Sequence, residues 1–263
     1  MAKKQRVDEI LVERGLADDI DHAKRLVMAG EVRVDGQLAH KPSMSYSPES
    51  DISLEQGSPY VSRSGEKLAA ALEQFSLQVS GRMCADVGAS TGGFTDVLLQ
   101  HGARKVFAID VGYGLLDWKL RQDERVEVME RINARYLYQL PEPVSLITMD
   151  VSFISLKQLL PVSMNWFSSD GGDAVCLVKP QFEARREESS AGEGVIRDPD
   201  IHRRVLKEVT RAAGQMGYQL TGVIPSPLRG TKGNLEFLAW FIYPREEERD
   251  PDEIIAQAVP GLR

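Results

Sequence analysis

The sequence contains no apolar run near the roughly 20 residues a membrane-spanning helix needs. Its longest candidate, Phe237 to Tyr243, reads as a buried strand. Cysteine is almost absent: Cys84 and Cys176 stand alone in apolar, strand-like runs, outside any CxxC or Cys/His pattern. That spacing excludes a disulfide framework and predicts two buried, reduced thiols. The four histidines, His22, His40, His101 and His202, are scattered, so no metal is expected. The basic start Met-Ala-Lys-Lys-Gln-Arg has no apolar stretch behind it; no secretory signal and a cytoplasmic location are the expectation. Positive charge is also in deficit, with 32 Lys and Arg against 39 Asp and Glu, net −7. Residues 1–60 hold 8 basic and 11 acidic residues, net 8 − 11 = −3. A uniformly basic nucleic-acid-binding domain is excluded, and any such surface must be a local patch.

What is present describes an ordinary folded chain: 263 residues, 42% hydrophobic and 27% charged, enough for a small domain plus one of α/β size. From Arg6 to Leu16, Val7, Ile10 and Leu11 follow helical spacing, with Gly15 as a stop. A second helix starts near Asp19 to Asp21 and runs through Ala23, Leu26 and Val27 to Gly30. Glu31 to Gly36 alternates polar and apolar and ends in Asp-Gly, a strand-and-turn pattern. A linker, Gln56 to Tyr60, closes this module. Beyond it strands are predicted at Met83–Val87, Val106–Asp110, Val126–Met129, Val144–Asp150, Ala174–Lys179, Leu220–Ile224 and Leu235–Tyr243. Helical patterns fill most gaps, notably Glu66–Phe75, Phe94–His101 and His202–Met216. This alternation implies an α/β fold, a mostly parallel sheet with helices on both faces. The last two strands are joined too briefly for a parallel crossover and should pair antiparallel. The expected division is 1–58, a linker at 59–65, a main domain at 66–245, and a polar tail or short terminal helix at 246–263.

The most informative stretch is Asp86-Val-Gly-Ala-Ser-Thr-Gly-Gly-Phe-Thr95. An acidic strand end, a turn carrying Gly88, Gly92 and Gly93, and then a helix describe a nucleotide-type cofactor loop; a purely structural glycine turn is the alternative. Its G-x-x-x-G-G spacing differs from the G-x-G-x-x-G that seats a pyrophosphate. With Asp86 ahead, it suits the cationic, phosphate-free S-adenosylmethionine. Asp110 lies 22 residues after Gly88, where a carboxylate can accept from both ribose hydroxyls or else serve only as a helix cap. Asp150 and Lys179 end two apolar strands, and Glu236 begins the last one. Such a lysine and carboxylate form either a plain salt bridge or a device for orienting a hydroxyl proton.

The segments Ser62-Arg-Ser-Gly-Glu-Lys67, Asp86 to Phe94, Asp150-Val-Ser-Phe-Ile-Ser155, Lys179-Pro-Gln-Phe-Glu183, Gly194-Val-Ile-Arg-Asp198 and Lys232-Gly-Asn-Leu-Glu-Phe237 together resemble the TlyA (hemolysin A) family. Arg6-Val-Asp8, Leu11, Gly15, Ala23, Gly30 to Gly36 and Lys41-Pro42 match its S4-type pattern. The resemblance implies a small α+β S4-type RNA-binding domain joined to a Rossmann-like, FtsJ-like methyltransferase domain. It implies ribosomal RNA 2′-O-methylation, with cytidine the expected nucleotide, S-adenosylmethionine as cofactor and ribosomal subunits as partners. A catalytic Lys-Asp-Lys-Glu tetrad would fall on Lys67, Asp150, Lys179 and Glu236. The cofactor set expected on this reading is Asp86, Gly88, Ala89, Ser90, Gly92, Gly93, Phe94, Asp110, Val111 and Asn133. Arg6, Lys24, Arg25, Arg33, Lys41 and Arg63 are candidates for RNA phosphates, and Phe182 for stacking on a base. Three other readings compete: a non-catalytic ribosome-binding protein, a pore-forming haemolysin, and a nicotinamide dehydrogenase. The absent membrane span opposes the second, and the glycine spacing opposes the third.

Overall fold

The computed structural model describes residues 4–28, 30–54, 58–245 and 250–259. The chain divides into two compact units, Met1–Pro59 and Tyr60–Arg263. Of the expected linker, Gln56 and Gly57 lie outside the described residues.

In the first unit, β1 (Gln5–Arg6) leads into α1 (Val7–Glu13), and α2 (Ile20–Met28) follows. Val7, Ile10 and Leu11 from α1 meet Ala23 and Val27 from α2 in a small core, which the helical spacing anticipated. β2 (Val32–Val34) and β3 (Gln37–Leu38) form a hairpin. Its turn residues Asp35 and Gly36 have φ of 52° and 77°, the left-handed pair a two-residue turn requires. β4 (Ser45–Tyr46) pairs with β1, and β5 (Ile52–Leu54) with β2, both antiparallel.

The second unit is built on seven strands: β6 (Met83–Val87), β7 (Lys105–Asp110), β8 (Val126–Glu130), β9 (Leu146–Met149), β10 (Gly172–Val178), β11 (Gln219–Pro225) and β12 (Phe237–Tyr243). Their order across the sheet is β11-β12-β10-β9-β6-β7-β8. Among the described residues of this sheet, only the two pairings of β12 are antiparallel. The expected α/β architecture and antiparallel final pair are thus borne out, with β12 inserted between β10 and β11.

Strand periodicity divides the core in two. Along β10, Val175 and Leu177 face α3 (Ser64–Gln74) and α4 (Gly93–Gln100), packing with Leu68, Val97 and Leu98. Ala174, Cys176 and Val178 face the other way, into a cluster with Leu160, Trp166, Leu206 and Val209. Both cysteines are buried, and desolvation pushes the Cys84 thiol up to about 12. Burial on both faces is why these strands read as near-continuous apolar runs. Among the described residues, no helix is long and apolar enough to cross a membrane.

One segment departs from the sequence expectation, and another decides between two. The expected linker residues from Tyr60 onward belong to the second unit: the Tyr60 ring packs against Gly65, and the Val61 amide donates to Asp96 at 2.8 Å. Of the two alternatives for the last segment the short terminal helix is the one present, over Pro251–Ala258; unlike a solvated tail it buries Ile255 and Ala258 in the core, with Val259 just beyond. Asp250 caps it, accepting from the Asp252 amide, and Pro251 suits its first turn. Acidic residues before it mask this short apolar face in composition alone; residues 246–249 and 260–263 lie outside the described residues.

Candidate active site

Parallel strands deliver their carboxyl ends to one edge of the sheet, and the turns beyond that edge form the site. Asp110 ends β7, Asp150 follows β9 and Lys179 follows β10. β12 runs the other way, so its start meets the same edge; the register Val178↔Phe237 sets Lys179 opposite Glu236.

Four side chains meet there as two ion pairs. Lys179 Nζ lies 2.6 Å from Asp150 Oδ1 and donates to Ser152 Oγ at 3.0 Å. Lys67 Nζ, from α3, donates to Glu236 Oε2 at 2.7 Å, and Gln181 Nε2 donates to Glu236 Oε1 at 3.0 Å. Lys67, Lys179 and Glu236 are buried, so each charge depends on its partner. Gly230 fits because a Cβ there would overlap the Glu236 carboxylate.

The glycine loop wraps the same edge. Gly88 has φ 81° and sits on the Asp150 carbonyl, leaving no space for a side chain. Gly92, at φ 97°, is the N-cap of α4, and Gly93 lies against the hydroxyls of Ser62 and Ser64. Two clefts open here. The larger, about 580 Å³, runs past Asp110, Val111, Leu115, Ile132 and Asn133. The smaller, about 280 Å³, is lined by Ser62, Ser64, Ala89, Phe94 and Lys179. Gly88, Ser90, Asp150 and Ser152 belong to both, so the clefts join at the Lys179–Asp150 pair.

The larger cleft fits a nucleoside. The Asp110 carboxylate accepts from the Ser90 amide at 2.8 Å and the Gly112 amide at 2.7 Å. A carboxylate has about four acceptor positions, leaving two for ribose hydroxyls. Val111, Leu115, Ile132 and Ile154 offer apolar walls for a planar base. Asn133 Oδ1 accepts from the Arg135 amide at 3.1 Å, which fixes the turn on the cleft wall.

Asp86 corrects one expectation. Its side chain does not face either cleft: Oδ2 accepts from Thr95 Oγ1 at 2.7 Å and Oδ1 from Thr148 Oγ1 at 3.0 Å, fully buried. Desolvation lifts its pKa to about 7, against the opposing pull of both hydroxyls. The carboxyl ties α4 and β9 to β6 beneath the loop.

The cationic candidates of the first unit are individually placed. Arg6 is engaged by buried Asp8 through two bonds of 2.9 and 2.6 Å, and Lys24 pairs with Asp21 at 3.0 Å. Arg25 and Lys41 are exposed, and Arg33 is half-buried in β2. In the second unit Arg63 is the exposed residue at the α3 N-cap, and Phe182 packs on Phe153 with ring centres 5.0 Å apart. Sequence reasoning did not single out Ser152, Phe153, Gln181 or Glu183. Glu183 is buried, pushed above the usual carboxylate range by desolvation, and accepts from Ser155 Oγ and the Leu156 amide. All four lie two to four residues past a strand-end charge, a position that could have flagged them.

The sheet with β12 inserted antiparallel, the glycine-turned edge and the carboxylate that ends β7 define a class: Rossmann-like methyltransferases that use S-adenosylmethionine. A structure from Listeria monocytogenes carried under such a name shares the fold, with 15% identity, TM-score 0.52, and coverage of 71% of this chain and 100% of that one. The family model for FtsJ-like methyltransferases matches residues 60–243 and that for the S4 domain residues 5–52, and the chain belongs to the FtsJ-like methyltransferase family. It is similar to the 16S/23S rRNA (cytidine-2′-O)-methyltransferase TlyA of Mycobacterium tuberculosis, with 47% identity over 91% of this chain and 90% of that protein. A solved chain from Streptococcus thermophilus, carried under a haemolysin name, is 42% identical with TM-score 0.73, covering 98% of this chain and 96% of that one. The resemblance drawn from the motifs is thereby borne out.

Proposed function

We propose that this protein methylates a ribose 2′-hydroxyl of ribosomal RNA, a cytidine as in the M. tuberculosis relative's name, through Lys67, Asp150, Lys179 and Glu236. The observation that carries this reading is the Lys179–Asp150 pair at 2.6 Å, set where the two clefts join. S-adenosylmethionine, when bound, supplies an electrophilic methyl group on a cationic sulfur. Asp110, Asn133 and the loop from Gly88 to Ser90 hold it in the larger cleft; the smaller cleft admits the ribose.

Lys179 Nζ is the group that orients the 2′-hydroxyl and receives its proton as the oxygen bonds to the methyl carbon, whose bond to the sulfur of S-adenosylmethionine would break with its electron pair left on sulfur. Asp150 stabilises the ammonium so formed, and Ser152 Oγ fixes the direction of Nζ. A well-placed base contributes roughly 10²–10⁴-fold, and alignment supplies much of the rest. The Lys67–Glu236 pair holds α3 against the start of β12 and keeps the wall beside Lys179 in place. The S4-type unit adds phosphate contacts through Arg25 and Lys41.

Transfer of tritiated methyl groups to 30S and 50S particles from a strain lacking this protein tests the reading. Label on a ribose 2′-oxygen, mapped to one nucleotide, is the expected result. Cofactor binding without label on either particle would replace it with the non-catalytic, ribosome-binding reading.

A further inference from the structure

Two of the sequence segments, Gly194 to Asp198 and Lys232 to Phe237, meet in the fold, and apart from Glu236 their residues play no part in the chemistry above. Asn234 is buried, with 2% of its surface exposed. Its Oδ1 accepts from the Ile196 amide at 3.0 Å, and its Nδ2 donates to the Gly194 carbonyl at 2.9 Å. The carboxamide thus engages one N–H and one C=O of the passing segment, and only one orientation of the amide satisfies both. Lys232 Nζ adds a third tie, donating to the Glu193 carbonyl at 3.0 Å. From the other side, His202 Nε2 lies 3.0 Å from the Ile196 carbonyl, and its ring meets Phe237 at 5.5 Å. Since a carbonyl only accepts, His202 carries its hydrogen on Nε2; burial lowers its pKa and favours that neutral form.

The loop so fastened carries Glu236. Within it the Gly230 amide donates to the Asn234 carbonyl at 2.9 Å, and the Ser226 amide to the Glu236 carbonyl at 2.8 Å. Glu236 rests against Gly230, so displacing residues 230–234 moves the support under its carboxylate. Hydrogen bonds to Lys67 and Gln181 fix the tip of that carboxylate but not the backbone bearing it.

We infer that Asn234 is a positioning residue: it clamps the loop to residues 194–196 and so holds Glu236 in register with Lys67. This rests on the proposed function for its kinetic readout, but not for its structural one. The discriminating variant is Asn234→Asp. A protonated aspartic acid reproduces both the donor and the acceptor of the amide, whereas the carboxylate loses the donor and repels the Gly194 carbonyl. Burial raises the pKa of such a carboxyl, placing its titration within reach of an assay. The titratable and charged groups around it, Glu193, Asp198, His202, Arg229, Lys232 and Glu236, are common to parent and variant, so the ratio of their activities isolates residue 234.

The kcat of N234D relative to the parent should fall roughly tenfold between about pH 5.5 and about pH 8, the scale of one lost hydrogen bond. The KM for S-adenosylmethionine should stay constant, and N234A should be low throughout. Recovery of one N234D sample on returning to low pH excludes misfolding. A flat ratio across that range overturns the inference. Independently of turnover, the 15N ammonium signal of Lys67, identified by its loss in K67M, should be exchange-protected in the parent and lost in N234A. Equal protection in both also overturns it. Should the parent transfer no methyl group at all, the proposed function falls while the Lys67 signal still decides the role of Asn234.

Discussion

Replacing Asp86 by Asn asks whether this acidic residue serves the cofactor or the fold. Its carboxyl is fully buried and held near pH 7, against 3.8 for the free group. Between those values the folded state keeps a proton that the unfolded chain has released. The contribution of Asp86 to stability must therefore fall as pH rises from about 4 to about 7 and level off above, since at this group the native state is the one that binds more protons there. The rise from 3.8 to about 7 corresponds to about 4 kcal/mol, an order-of-magnitude figure. Asn cannot ionise and can still bond Thr95 and Thr148. The variant should match the parent near pH 4 and exceed it by up to about 4 kcal/mol above pH 7. Urea unfolding followed by tryptophan fluorescence reads the correct unit, because Trp118, Trp166 and Trp240 all lie in the second one. Affinity for S-adenosylmethionine, measured by calorimetry, should be unchanged. A parent–variant difference that stays flat from pH 4 to 8, or a loss of cofactor affinity at unchanged stability, would refute the reasoning.

Lys179→Ala should abolish methyl transfer while largely sparing cofactor binding; measurable turnover would remove Lys179 from the role of proton acceptor. Lys67→Met should destabilise the second unit by roughly 3–5 kcal/mol, because it strands the buried Glu236 carboxylate. Adding Glu236→Leu should restore most of that loss in urea unfolding without restoring activity. Arg25→Ala and Lys41→Ala should each weaken RNA binding and reduce the slope of log affinity against log salt by up to about 1, in a filter-binding salt series.

The sheet was legible because its strands are buried on both faces, so Met83–Val87 and its neighbours stand out as apolar runs between glycine turns. Strand ends were nearly as clear: Asp110, Asp150 and Lys179 are charges that interrupt such runs, and the structure brings the latter two into contact. Glu236 was marked by its place at the start of the last strand, whereas Lys67 had no local signal and was read from a family motif; their 2.7 Å contact follows from the placement of α3 beside β12. Asp86 misled because a carboxylate at a strand end looks alike in sequence whether it points into a cleft or beneath it. Alternation along β6 puts residue 86 on the face covered by Thr95 of α4. That the terminal helix packs into the core was obscured because only Ile254, Ile255 and Ala258 mark its apolar side within an acidic stretch.

The bond between Lys67 and Glu236 spans 169 positions of the chain. A ribosome making this protein exposes the amine long before the carboxylate, and any product cut short before Glu236 lacks that counter-charge. Completeness of synthesis is therefore a precondition for assembling this corner: an unfinished copy lacks one of the two pairs at the sheet edge.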